Sequence, residues 1–232
     1  MGVLRVDGMS PNPSTTMASS TITLQTASIA VSLIAAGGIA SLSLFDIPEL
    51  QSQPASRSLP QTRWLFSRGS HIFPITAMAA TAGFTYLAVS ALPPGRTLYQ
   101  IVSLAANSSK VNGYLAAAAL NFAIAPFTGL MVPTNFRLIE LNEQKGGARS
   151  EKSAKEGKFS AGEKSAKESV DGKGDVNEFT DLSNPQSQTA KTSTAEEDKE
   201  VRELLGKFGQ MNMGRALLGG AGGVVGLITA LL

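Results

Sequence analysis

A few polar residues set at the edges of apolar runs carry the groups suited to chemistry on a small molecule. His71 is the only imidazole in the chain, the side chain type that changes charge near neutrality and serves as a general base. Arg68, Asn135 and Arg215 supply hydrogen-bond donors that could hold a developing negative charge. Trp64, Thr134 and Asn212 stand beside them as candidate substrate contacts. Each has a plainer use. Arg68 and Arg215 also suit snorkelling to headgroups, Trp64 an interfacial anchor, His71 simple solvation and Asn135 a helix cap.

Composition removes several alternatives. The 232 residues contain no cysteine, so thiol catalysis, disulfides and Cys-ligated metal or iron-sulfur centres are excluded. One histidine is a poor set for haem or iron, and no Gly-rich dinucleotide turn follows a strand. No cofactor is expected, and no metal site. The net charge is +2 with basic and acidic residues interleaved, which argues against a nucleic-acid groove.

The elements that must position these residues are apolar runs of about 17 to 22 residues, the length that crosses a hydrocarbon core. They lie at Leu24 to Phe45, Phe73 to Leu92, Gly113 to Val132 and Ala216 to Leu232. The reading is an all-α integral membrane four-helix bundle. Residues 1–23 form a flexible N-terminal tail, and the first run is too long for a cleaved signal core, so a retained span is expected. The loop from Asp46 to Arg63 carries Pro54 and Pro60. Pro133 ends the third run, because proline lacks a helix donor and restricts the residue before it. Residues 24–143 thus hold the first three helices. Residues 144–195 are rich in Lys, Glu, Ser and Gly, contain a short repeat at Glu151 to Glu156 and Glu163 to Glu168, and read as a disordered low-complexity insert. Residues 196–232 supply an approach helix and the last span. Gly219 and Gly223, with Gly222 and Gly226, make two overlapping GxxxG spacings that permit close helix crossing, including self-association.

Alternation of the spans brings Asp46, Glu49, Trp64, Arg68, His71, Thr134, Asn135, Asn212 and Arg215 to one membrane face. Basic residues are more numerous there, which places that face in the cytosol and both termini in the lumen.

The segments RWLFSRGSHIFP, FTGLMVPTNFRLIEL and LLGKFGQMNMGRALLGGAGGVVGL resemble the fungal anthrone oxygenase-like membrane proteins, a four-span family, over roughly residues 24–143 and 200–232. Pro133, Thr134, Asn135, Asn212 and Arg215 carry the most specific part of the likeness; Phe208 stands where a Trp would be expected, and Ala216-Leu217 where a Pro-Leu would. The resemblance implies a monooxygenase that converts an anthrone to an anthraquinone with O2, without cofactor, in the polyketide biosynthesis of fungal secondary metabolism. It implies a bilayer of the endoplasmic reticulum or another endomembrane, and a small aromatic substrate. The competing class is a non-catalytic membrane scaffold or assembly protein. A transporter fits less well, since no charged residue lies mid-span in the runs as drawn.

Overall fold

A computed structural model describes residues 13–96, 101, 103–159 and 162–232, with the side chains of residues 13–18 and 106 left aside. The fold is all-helical among the described residues: α1 (Pro13–Ser41), a π-helical turn (Leu42–Asp46), α2 (Ile47–Gln51), α3 (Ala55–Ser90), a 3-10 turn (Leu104–Ala106), α4 (Ser109–Phe122), α5 (Ile124–Gln144), α6 (Glu151–Glu156), α7 (Ala166–Val170) and α8 (Ala195–Ala230). Four helical stretches, Ser19–Gln51, Ala55–Ser90, Ser109–Gln144 and Ala195–Ala230, are long and apolar enough to cross a membrane. Their outward faces carry exposed Ile34, Ile75, Met78, Phe122, Leu130, Leu217 and Ile228. An apolar belt of that extent suits lipid far better than water.

Three of these stretches have 36 residues, about 54 Å of helix at 1.5 Å per residue against a hydrocarbon core of about 30 Å. The excess gathers at one end. There Gln51 Nε2 donates to the Arg202 carbonyl at 2.8 Å, Arg137 pairs with Glu200 at 2.8 Å and Lys145 with Glu197 at 2.6 Å. Beneath them Ile47, Leu50, Leu59, Leu138, Leu141, Val201 and Leu205 form a buried apolar cluster. A second cluster, with Phe84, Leu87, Tyr114 and Ala117, fills the far end.

Proline punctuates less than expected. Pro133 sits inside α5 and Pro60 and Pro74 inside α3, so the loop foreseen up to Arg63 is helix from Ala55 onward. A proline already has a helical φ and removes only one donor, which packing can offset. The gap left by Pro60 is filled in a specific way. The carbonyl of Ser56, four residues earlier, accepts the backbone N–H of Thr189 at 2.8 Å. Around Pro133 the buried Met131, Thr134 and Leu138 hold the helix on course.

Of the expected flexible tail, residues 1–12 lie outside the described residues, and α1 begins at Pro13. The approach helix and the last span are one continuous α8, opened by a capping box of Thr194 and Glu197. The four glycines of its GxxxG spacings, Gly219, Gly222, Gly223 and Gly226, are buried within the chain's own bundle. A Cβ on Gly226 would meet Phe84 Cε1 at 2.3 Å, and one on Gly223 would meet Leu33 Cδ2 at 2.6 Å. The GxxxG face is therefore packed against this chain's own helices.

The segment read as disordered is the largest correction. Described residues between 145 and 194 form α6, α7 and turns that fold back onto the polar end of the bundle. Its few apolar residues are replaced by polar pairing: buried Arg63 of α3 donates to the Ser169 hydroxyl at 3.0 Å and its carbonyl at 2.8 Å, and Ser169 donates to Glu143 at 2.6 Å. Lys164 and Asp175 form a buried ion pair at 2.7 Å. The bundle supplies partners that composition alone does not reveal.

Candidate functional site

A cavity of about 280 Å³ lies where the polar end meets the apolar bundle. Helical spacing builds its walls. Arg63, Phe66, Ser67, Ser70, Phe73 and Pro74 line one face of α3, while Thr128, Val132, Asn135, Phe136 and Ile139 line one face of α5. Phe208, Asn212 and Arg215 do the same from α8, and Leu42 closes one side. The folded segment contributes Val170 and Glu178, so it forms part of the enclosure.

The α8 wall carries the unbalanced group. Arg215 Nη1 donates to Asn212 Oδ1 at 3.1 Å and lies 4.0 Å from Met131 Sδ, and Asn212 Nδ2 donates to the Phe208 carbonyl at 3.2 Å. The residue is 9% exposed, its Nε is buried without a partner, and no carboxylate pairs with it among the described residues. A buried, unpaired guanidinium is costly and calls for an acceptor. Asn135 brings a second amide to the same cavity, with Oδ1 buried and unpartnered. Asn135, Asn212 and Arg215 therefore converge.

The remaining sequence candidates sit elsewhere. Trp64 donates its indole N–H to the Ser183 carbonyl at 3.0 Å. Arg68 stacks over the Trp64 ring at 5.2 Å and reaches the carbonyls of Glu178 at 3.3 Å and Ser183 at 3.4 Å. Both side chains hold the folded segment against α3. Thr134 is buried in α5, off the cavity wall. His71 is also off the wall, stacked on Phe179 at 4.4 Å between ring centres. Its Nε2 lies 3.0 Å from Glu178 Oε1, an ion-pair distance without the alignment of a hydrogen bond.

Glu178 links the two groups of residues. Its Oε2 accepts from Arg149 Nη1 at 3.0 Å and from the Ser67 hydroxyl at 3.4 Å, and the residue lines the cavity. Nothing in the sequence marks it, because one glutamate in a tract of Lys, Glu and Ser has no distinguishing spacing. Phe66, Phe73 and Phe136 were likewise unmarked, although their i, i+7 and facing positions give the cavity an aromatic lining. Nearby Asp181 is drawn in two directions: burial pushes its carboxyl up, while hydrogen bonds from Ser150 and Ser183 and the charge of Arg68 pull it down, and the net shift is downward. It stays charged and pins the segment beside Trp64 and Arg68.

Among the described residues no three His, Asp or Glu side chains gather as a ligand set for a metal ion. Neither a curated protein nor a solved structure matches the chain. The anthrone oxygenase family model matches residues 63–173, a span that takes in Trp64, Arg68, His71, Thr134 and Asn135 and stops before Glu178, Asn212 and Arg215. At family level this supports a monooxygenase-like role. Residues 63–173, which supply most of the cavity wall, match the anthrone oxygenase family, and the chain is consistent with an anthrone oxygenase-like member.

Proposed function

We propose that this chain oxidises an anthrone-type aromatic ketone to the corresponding quinone with O2, inside the membrane and without a bound cofactor. The observation that carries the proposal is Arg215, a buried guanidinium with no acid partner among the described residues, on the wall of a phenyl-lined cavity beside Asn212 and Asn135. At about 280 Å³ the cavity sits near the low end of ligand sites, which run from about 300 to 1,000 Å³. A flat, fused-ring ketone matches that size and lining.

The methylene of an anthrone is acidic because its carbanion is delocalised through both flanking rings onto the carbonyl oxygen. Arg215 Nε, with the amides of Asn212 and Asn135, stabilises that oxygen as charge grows on it. The proton leaves toward Glu178 on the cavity wall, with His71 behind it. The anion is electron-rich enough to reduce O2 itself. Carbon–oxygen bond formation gives a hydroperoxide, which loses water to leave the second carbonyl. One oxygen atom of O2 enters the quinone, the other departs as water with the two methylene hydrogens, and no external reductant is consumed.

With such a substrate the reaction would belong to aromatic polyketide biosynthesis of a fungal type, at the endoplasmic reticulum or another endomembrane into which such apolar molecules partition. Trp64, Arg68 and Thr134 serve in this scheme by shaping the enclosure. The test is O2 uptake by membranes carrying the chain when anthrone is added, with one O2 consumed per anthraquinone formed. Uptake no faster than in membranes lacking the chain would favour the non-catalytic scaffold instead.

A further inference from the structure

The segment between α5 and α8 is tied to the bundle by residues that also border the cavity, and one of its acidic residues, Glu178, lines the cavity itself. We infer that Glu178 is the proton acceptor of the oxidation proposed above, delivered to the site by the folded segment, with His71 as the relay that returns the proton to water. The inference rests on that functional reading but concerns a separate step.

Three observations converge on Glu178. Among the described residues it is the only carboxylate on the cavity wall, which otherwise supplies hydroxyls, amides, guanidinium groups and apolar surface. Its side chain is 25% exposed and held from three directions, by Arg149 at 3.0 Å, by Ser67 at 3.4 Å and by His71 at 3.0 Å, so both oxygens are oriented before a substrate arrives. Fixed orientation is what a proton acceptor requires. His71 stands behind it, off the cavity wall and 27% exposed, which suits transfer onward to solvent better than direct contact with substrate.

The cost of the arrangement also points to use. Arg149 is 3% exposed at its side chain, donates to Glu178 and to the Val176 carbonyl, and leaves its Nε without a partner. A tract kept only as a spacer has no need to bury an arginine that aims one carboxylate at a cavity. In the step itself a methylene C–H bond breaks and an O–H bond forms on Glu178. The electron pair stays on the substrate, delocalised toward the oxygen that Arg215 stabilises.

The experiment separates proton removal from oxygenation. Anthrone deuterated at its methylene is incubated without O2, in ordinary water, with membranes carrying the chain, and loss of deuterium is followed by mass spectrometry. The wild-type chain should accelerate the loss over protein-free membranes. Glu178→Gln, which keeps the shape and much of the hydrogen bonding, should reduce that acceleration by about 10²-fold or more, with anthraquinone binding unchanged by equilibrium dialysis. Formate should restore part of the exchange in Glu178→Ala, which a purely structural role would not allow. Exchange by Glu178→Gln at the wild-type rate would overturn the assignment, as would a parallel loss of exchange and anthraquinone binding. A wild-type chain that consumes O2 but never accelerates exchange would overturn it while leaving oxygenation standing. Exchange without O2 consumption would sustain Glu178 and overturn oxygenation.

Discussion

Arg215→Lys separates an anion-holding guanidinium from a headgroup anchor. In the structure Nη1 is committed to Asn212 Oδ1 at 3.1 Å, and Nε is buried with nothing to bond. An oxyanion placed in the cavity would take that free donor. Lysine keeps the charge but offers a compact ammonium on a different stem, so it can satisfy Asn212 or the oxyanion, not both in the same geometry. Losing one hydrogen bond to a charged group costs about 1.5 to 3 kcal/mol. If that bond strengthens only as charge develops, the loss appears in kcat as a factor of about 10 to 150. The assay is anthraquinone formation by matched amounts of membrane-inserted protein, with insertion checked separately. A headgroup anchor tolerates lysine, so an Arg215→Lys chain that turns over at the parental rate would refute the reasoning.

Asn135→Ala removes an amide from the same cavity and should slow turnover by about 10²-fold or more, the scale of losing an oxyanion donor, with membrane insertion unchanged by flotation. Arg63→Ala withdraws both hydrogen bonds to Ser169; at about 2 kcal/mol lost, opening of the segment becomes about 30-fold more frequent. Trypsin cleavage at buried Lys164 should accelerate accordingly, and an unchanged cleavage rate would show that Arg63 does not hold the segment. The orientation is tested with Lys155→Cys, an exposed position in a chain otherwise free of cysteine. An impermeant thiol reagent should label it only from the cytosolic side.

Much of the architecture was legible because membrane spans announce themselves by length. The four apolar runs map onto the four long helices, and alternation alone brings Asn135, Asn212 and Arg215 to one end, although they are up to 80 positions apart. What failed was local punctuation. Pro60 and Pro133 signal an end to a helix only when nothing else holds it, and the Thr189 N–H that satisfies the Ser56 carbonyl is more than a hundred positions away. The inter-span segment failed for a related reason. Its composition is too polar to build a core of its own, but Arg63, Trp64 and Arg68 on α3 and Glu143 on α5 supply the partners it needs. Glu178 could not be singled out before its neighbours His71, Arg149 and Ser67 were known. The glycines of α8 show the opposite error: their spacing did predict close packing, but not that Leu33 and Phe84 of the same chain occupy it.

The central claim is that the chain's own residues let the substrate anion react with O2, and isotope tracing tests it directly. Membranes carrying the chain are treated with a strong metal chelator, supplied with anthrone under ¹⁸O₂, and the quinone and water are analysed by mass spectrometry. One ¹⁸O atom in each new quinone carbonyl and one in water, at a rate unaltered by the chelator, is the predicted result. A quinone free of ¹⁸O, or a rate abolished by the chelator, would contradict it.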